Sequence, residues 1–420
     1  MGLPEPLRSL VIQEAAFFEA WHEGGKCVVV RGVESECTRV TLNTVLAALD
    51  AGSRFGAASA DAAAMRSPRR SVERGADYQL GRFVGGGWEA YAGGDDTTTD
   101  ATLTSEAARA ALAAGYSLTV RHVELRDAAV AAACAALSEA LGAPVQANAC
   151  GRAYATPAGC CAMRPHTDRH DVYVLQLAGS KDWAVWEASE ASLPTRERPP
   201  AALASPAGGG ARVVRVVRLD AGDCLYVPRG VPHGAETVGT ETSLHVSLGV
   251  DVHAPLTWAG AVHVALSRVA PLAITAHLWL HAAVQLAANV RAANTLRRAC
   301  VPASRLTAPA LSAAATAAAE IVRGLTPDDA ALRASAQSLD WLGIDFVDGG
   351  LGSADDAADA LRRVAAAPHS ALEEALEETR RLSRSVVLDA AGLMRWCLDA
   401  GEGAPGGRRR PPALSTLAVD

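Results

Sequence analysis

HTDRHDVYVLQLAGSKDW, from His166 to Trp183, and LDAGDCLYVPRGVPHGAE, from Leu219 to Glu236, are the stretches on which the fold turns. Read as a strand from its first residue, the first stretch puts His166, Asp168 and His170 on one face, because successive strand side chains alternate. Three consecutive same-face ligands on an extended strand span too far for one small ion, so at least one ligand comes from elsewhere. The second stretch offers it. Gly222-Asp223 makes a tight turn, CLYV is a short strand, and Pro228-Arg229-Gly230 reverses the chain and presents His233. Two imidazoles and a carboxylate can cap one face of a ferrous ion and leave the other open. Spacing alone leaves His170 as a rival ligand and leaves ordinary hydrogen-bonded histidines as the alternative.

Strand patterns surround these stretches at Ser117–Leu125, Val145–Ala155, Val213–Leu219 and Ser243–Val250. Gly- and Pro-rich connections such as Leu193–Gly210 separate them, which suits a β-sandwich or barrel. Ala128–Leu141 is an Ala-rich helix stopped by Gly142 and Pro144. Upstream the pattern is mixed α/β, with a Phe17/Phe18/Trp21 helix at Glu14–Gly25, a strand at Cys27–Val33 and a helix at Thr41–Leu49. Ala57–Ala114 reads as loops around short elements, with a solvated basic loop at Arg66–Arg74. Downstream the chain reads as helical over Ala254–Arg298, Ala308–Val322, Ala354–Ala366 and Leu372–Leu382, with a helix start at Pro327-Asp328-Asp329. Ser385–Cys397 is strand or helix, and the Gly/Arg/Pro tail from Gly401 reads as disordered. The expected fold class is α+β.

A chain of 420 residues can build two or three domains. Its net charge of -7 gives no basic surface for bulk nucleic-acid binding. Nine cysteines without a C-x-x-C pair read as reduced thiols of an intracellular protein. Met1–Ser9 has no apolar signal core, so secretion is not expected. Pro271–Val290 is apolar but carries His277, His281, Gln285 and Asn289 four apart, on one helical face. That is a helix packed on protein rather than a membrane span.

The strings resemble the JmjC/cupin oxygenases, and within them the ribosomal oxygenase group of bifunctional lysine-specific demethylases and histidyl-hydroxylases. The resemblance is carried by Tyr154-Ala155-Thr156-Pro157, His166-Thr167-Asp168, Leu175 to Trp183, Gly222 to His233 and Ser243-Leu244-His245. It implies a double-stranded β-helix (jelly-roll) core over 115–252, after an N-terminal α/β segment with a loop-rich insert over 1–114. It implies a helical dimerisation region over 253–326, a winged-helix-like domain over 327–400 and a tail over 401–420. It further implies Fe(II) held by His166, Asp168 and His233, O2 as co-reactant, and 2-oxoglutarate with its distal carboxylate on Lys181. Tyr154 and Arg152 would stand beside that cosubstrate. The group commonly has Asn where this chain has Arg152, so Arg152 lies outside the cavity or the contacts there differ. His170 is expected to be structural, His245 and Tyr226 core residues, and Trp183 and Trp186 barrel packing.

The implied activity is hydroxylation of a protein side chain, histidine of a ribosomal protein ahead of arginine. Histone lysine demethylation, a chromatin-regulating activity, is the alternative with the same iron chemistry. A catalytically silent cupin scaffold that binds partners is the alternative of another class. The implied assembly is a homodimer, and the implied compartment is the nucleus or nucleolus, with the cytoplasm as alternative. A winged helix would suggest DNA contact, but Asp355, Asp356, Asp359, Glu373, Glu374, Glu377 and Glu378 make that region acidic and favour protein packing.

Overall fold

A computed structural model of the chain describes residues 27–33, 40–50, 78–84, 87–91, 103–121, 123–125, 127–141, 152–168, 170–186, 213–250, 256–286, 290–298, 300, 306–328, 330–332 and 352–382. The expected helix at Glu14–Gly25, the Arg66–Arg74 and Leu193–Gly210 loops, Ser385–Cys397 and the tail lie outside them.

Eleven strands are described: β1 Val28–Val30, β2 Tyr78–Val84, β3 Gly87–Ala90, β4 Ser117–Arg121, β5 Arg152–Thr156, β6 Asp171–Ala178, β7 Ser180–Trp186, β8 Val213–Leu219, β9 Cys224–Val227, β10 His233–Val238 and β11 Ser243–Val250. They form an eight-stranded sheet, β1-β9-β6-β11-β5-β4-β2-β3, and a three-stranded sheet, β10-β7-β8. Every pairing among them is antiparallel.

Strand alternation explains how the two sheets make one core. On β6, Val172 and Val174 join Leu225 and Val227 of β9 and Trp183 and Val185 of β7 in a cluster between the sheets. The intervening Tyr173 and Leu175 turn to the opposite face, into a larger cluster shared with the helices. Both faces of the large sheet are therefore covered, so β9 and β11 are buried at every residue and β6 at its first six. β7 alternates between buried and half-buried residues, and Lys181, Trp183 and Val185 are its inward positions.

The tight β6–β7 turn depends on Gly179, at φ +60, where a Cβ would lie 3.0 Å from Ser243 Cα and from Thr242 O. Both the left-handed backbone and the close approach exclude a side chain. Gly179→Ala is expected to lower stability by about 1–3 kcal/mol, read as the urea midpoint; an unshifted midpoint would refute the argument.

The structure corrects the sequence expectations in three places. Ala57–Ala114 contains the β2–β3 hairpin and a helix at Ser105–Ala113, capped by the Thr104 hydroxyl accepting from Ala107 N. The indole of Trp88 lies against Gly81, where a Cβ would stand 2.1 Å from its ring, so this glycine is a packing surface and not a loop former. The strand expected from His166 begins only at Asp171; of Val145–Ala155, residues 145–151 lie outside the described residues and Arg152–Ala155 is strand as expected. A strand also follows His233, where none was expected.

After β11 the chain is helical: α4 Trp258–Val269, α5 Ile274–Leu286, α6 Val290–Arg297, α7 Ala308–Arg323 and α8 Ala354–Ala365, numbered after α1 Leu42–Asp50, α2 Ser105–Ala113 and α3 Ala128–Leu141. A further helix covers 369–382. Thr257, Thr307 and Ser353 cap the starts of α4, α7 and α8. Asp328 accepts from Ala331 N at the expected helix start. α8 packs on α7, α5 and α4, so this helix of the 327–400 segment shares the core of the helices before it. None of the described helices is long and apolar enough to cross a membrane. The six described cysteines, Cys27, Cys134, Cys160, Cys161, Cys224 and Cys300, are free thiols.

Of the polar face of α5, His277 and His281 are buried. His277 and His281 meet His263 of α4, with ring centroids 4.1 Å apart for His263–His277 and 5.9 Å for His263–His281. Burial pushes the pKa of His263 down to about 2, His281 to about 3 and His277 to about 4. The unfolded chain takes up protons on these rings near pH 6.5, while the folded protein resists them. Stability is fully present above that pH and is lost as pH falls towards 4. The thermal midpoint should therefore drop between pH 7 and pH 5, and His277→Gln should make the drop shallower. An equally steep fall in that variant would assign the acid sensitivity elsewhere.

Candidate active site

Backbone pairing, not strand alternation, brings His166 and His233 together. Residues 166–168 are not in a strand. His166 forms a single antiparallel bridge with His233, each N–H donating to the other's carbonyl at 2.9 Å. The two rings lie 4.5 Å apart. Gly230 N donates to Asp168 O at 2.8 Å, which ties the Pro228–Gly230 reversal to the same stretch. The Asp168 carboxylate stands between the rings, with Oδ1 3.6 Å from His166 Nε2 and Oδ2 3.5 Å from His233 Nε2.

Both rings are held in one tautomer. His166 Nδ1 lies 2.8 Å from Arg164 O and His233 Nδ1 lies 2.9 Å from Val231 O. A carbonyl only accepts, so each Nδ1 carries a proton, and Nε2, which faces Asp168, is the nitrogen that would bind a metal. Burial and the neighbouring His166 lower the pKa of His233, which favours the neutral ring. One ligand atom from each of the three residues lies within 4.8 Å of the others. This donor set, two imidazoles and a carboxylate, fits one divalent ion. His170, the rival on the alternation argument, is buried at a bend and does not belong to the cluster.

The cluster lines a cavity that opens to solvent. Lys181 lines the same cavity at 1 % exposure, its Nζ donating to Thr156 Oγ1 at 3.0 Å and to His245 Nδ1 at 3.2 Å. Burial pushes its pKa down to about 7, and among the described residues it has no carboxylate partner. Trp183 connects the two groups, lying flat against His233 at 6.0 Å and edge-on to His245 at 5.5 Å. Tyr154 stacks on His245 at 4.6 Å, and its hydroxyl reaches Met163 Sδ at 3.3 Å.

Arg152 is on the cavity wall, opposite Ser247 in the β5–β11 register. Tyr226 is a core residue packed on Tyr173, Trp183 is both core and cavity wall, and Trp186 is half-buried at the end of β7. His245 corrects the expectation of a plain core residue, since it touches Lys181 inside the cavity. Thr156 went unread as well, although alternation on β5 sets Arg152, Tyr154 and Thr156 on one face. Asp223 acts structurally, pairing with Arg31 and accepting from Gly32 N and Asp220 N, and so fastens β1 to the turn before β9.

The two sheets and the His/Asp/His cluster between them define a JmjC-type cupin, and residues 129–257 match the model of the JmjC domain. That segment is similar in sequence to the same region of the ribosomal oxygenases and their relatives. Bifunctional lysine-specific demethylase and histidyl-hydroxylase NO66 of Dictyostelium discoideum is 33% identical over 29% of this chain and 23% of its own length. Ribosomal oxygenase 1 of Gallus gallus is 37% identical over 27% of this chain and 18% of its own. The match thus spans less than a quarter of either relative. Among solved structures, the ribosomal oxygenase YcfD of Escherichia coli in complex with cobalt and 2-oxoglutarate is 17% identical, with a TM-score of 0.34 over 57% of this chain and 51% of that one.

Proposed function

We propose that the protein is an Fe(II)- and 2-oxoglutarate-dependent oxygenase that hydroxylates a protein side chain. One observation carries the reading: a single cavity holds a His166/Asp168/His233 donor set together with a buried Lys181 that has no carboxylate partner among the described residues. A buried ammonium without a counter-charge is costly, and a ligand carboxylate would supply it. A ferrous ion held there supplies the oxidising chemistry that turns 2-oxoglutarate and O2 into succinate, carbon dioxide and a hydroxylated product.

The chain's own residues do the rest. His166, Asp168 and His233 hold the ion, and the Arg164 and Val231 carbonyls fix the ring orientations. Lys181 and Thr156 bind the distal carboxylate of the cosubstrate, with Tyr154 and Arg152 on the adjoining wall. Val172, Val174 and Trp183 give the cavity an apolar lining that keeps water from the reacting groups.

The names of the relatives support histidine of a ribosomal protein as the target and histone lysine demethylation as the second reading. Dimerisation through the helices after β11 and a nuclear site of action belong to the same resemblance. The test is incubation of the purified protein with Fe(II), 2-oxoglutarate and ribosomal proteins or methylated histone peptides. Hydroxylation predicts iron-dependent succinate and a ribosomal histidine heavier by one oxygen atom. A histone peptide lighter by one methylene would establish demethylation instead. No iron-dependent succinate with any substrate would leave the scaffold reading.

A further inference from the structure

We infer that His245 is a positioning residue: the lone pair of its Nδ1 holds the Lys181 ammonium in the orientation that receives a dicarboxylate. The inference rests on the 2-oxoglutarate reading above and assigns the control of that site to a second side chain.

A lysine ammonium only donates, so in the 3.2 Å contact His245 Nδ1 must accept. His245 is therefore the neutral ring protonated on Nε2. Burial and the nearby Lys181 hold its pKa well below the ordinary value, which keeps that acceptor available. The ring cannot swing away, because Tyr154 stacks on it at an interplanar angle of 9° and Trp183 closes its edge at 79°. Its backbone is locked between Tyr154 of β5 and Gln176 of β6. With Thr156 Oγ1 and His245 Nδ1 taking two of the three ammonium protons, the third remains for a ligand.

The acceptor also matters for charge. Lys181 lies deep enough for desolvation to oppose its protonation; only the Cys161 thiol favours it, and burial raises the pKa of that thiol, which keeps it neutral. The other titratable groups on the cavity wall are Arg152 and Tyr154 on β5 and the His166/Asp168/His233 cluster. A fixed neutral acceptor at 3.2 Å stabilises the ammonium without supplying a negative charge that would compete with the incoming carboxylate. An Asp or Glu at this position would occupy Lys181 permanently.

The experiment compares His245→Leu and His245→Asn with the wild type. A hydrogen bond to a charged group contributes about 1.5–3 kcal/mol, so His245→Leu should raise KM for 2-oxoglutarate about tenfold or more, with a much smaller change in kcat. His245→Asn, whose amide oxygen can accept, should recover most of the loss. KM in the leucine variant should begin to climb at lower pH than in the wild type, because Lys181 loses its proton earlier. The Lys181 pKa, read by NMR of its side chain in unliganded protein, should fall in His245→Leu and return in His245→Asn. An unchanged Lys181 pKa with unchanged KM in a folded His245→Leu protein would overturn the inference. A wild type that neither binds nor turns over 2-oxoglutarate would overturn the functional reading instead, while the NMR result would still decide whether His245 governs Lys181.

Discussion

Asp168→Ala is expected to abolish iron-dependent 2-oxoglutarate turnover, a loss of at least about a hundredfold, while the protein stays folded. Asp168 is the one anionic member of the cluster and stands within 3.6 Å of both imidazole Nε2 atoms. Two imidazole rings remain without it, and a divalent ion loses its charge-neutralising oxygen ligand. Charge stabilisation at a metal centre amounts to several kcal/mol, and each 1.36 kcal/mol is a factor of ten in rate. The fold should survive because the His166–His233 bridge and the bond from Gly230 N to Asp168 O use backbone atoms only. The side chain is a quarter exposed, so its removal leaves no closed void in the core. Metal content, succinate formation and circular dichroism read the three parts of this expectation. A variant that kept its metal and its turnover would remove Asp168 from the site.

Lys181→Met should raise the 2-oxoglutarate requirement by about 10² to 10³, the equivalent of breaking a buried charge pair at 3–5 kcal/mol. It should also make the unliganded protein more stable, which an ordinary core disruption would not do. Lys181 is fully buried and its pKa falls from 10.5 to about 7, so the folded state disfavours the ammonium. The unfolded chain keeps that proton up to about pH 10.4. Folding therefore bears the cost at and below pH 7, and the cost fades as pH rises towards 10. The stability advantage of the methionine variant should be a few kcal/mol near neutrality and vanish at high pH. Equal stability at pH 7 together with an unchanged KM would exclude Lys181 from cosubstrate binding.

How far the sequence could be read depends on how local each signal is. Val213–Leu219, Cys224–Val227 and Ser243–Val250 are the strands their β-branched and apolar runs announce, and Ala128–Leu141 is the helix its alanines and its Gly142 stop announce. Tyr78–Val84 was not legible, because its partner strand lies far along the chain at Ser117–Arg121 and its glycine reads as a loop until Trp88 is seen packed on it.

The candidate site divides along the same line. Residue type and motif order marked His166, Asp168, His233 and Lys181 from the chain alone, since donor chemistry is a property of the side chain. Alternation suggested the wrong geometry for them: His166 and Asp168 precede the strand, and a bridge to His233 sets the triangle. Spacing alone left His170 level with His166; the tertiary structure separates them, with His170 buried at a bend outside the cluster. It alone moved His245 from the core to the side of Lys181 and placed Arg152 on the cavity wall. The physical reason is that a chain lists its donors one-dimensionally, whereas a site is made by register. β11 lies beside β5 and β6, and that pairing, which no local pattern encodes, decides which imidazole meets which ammonium.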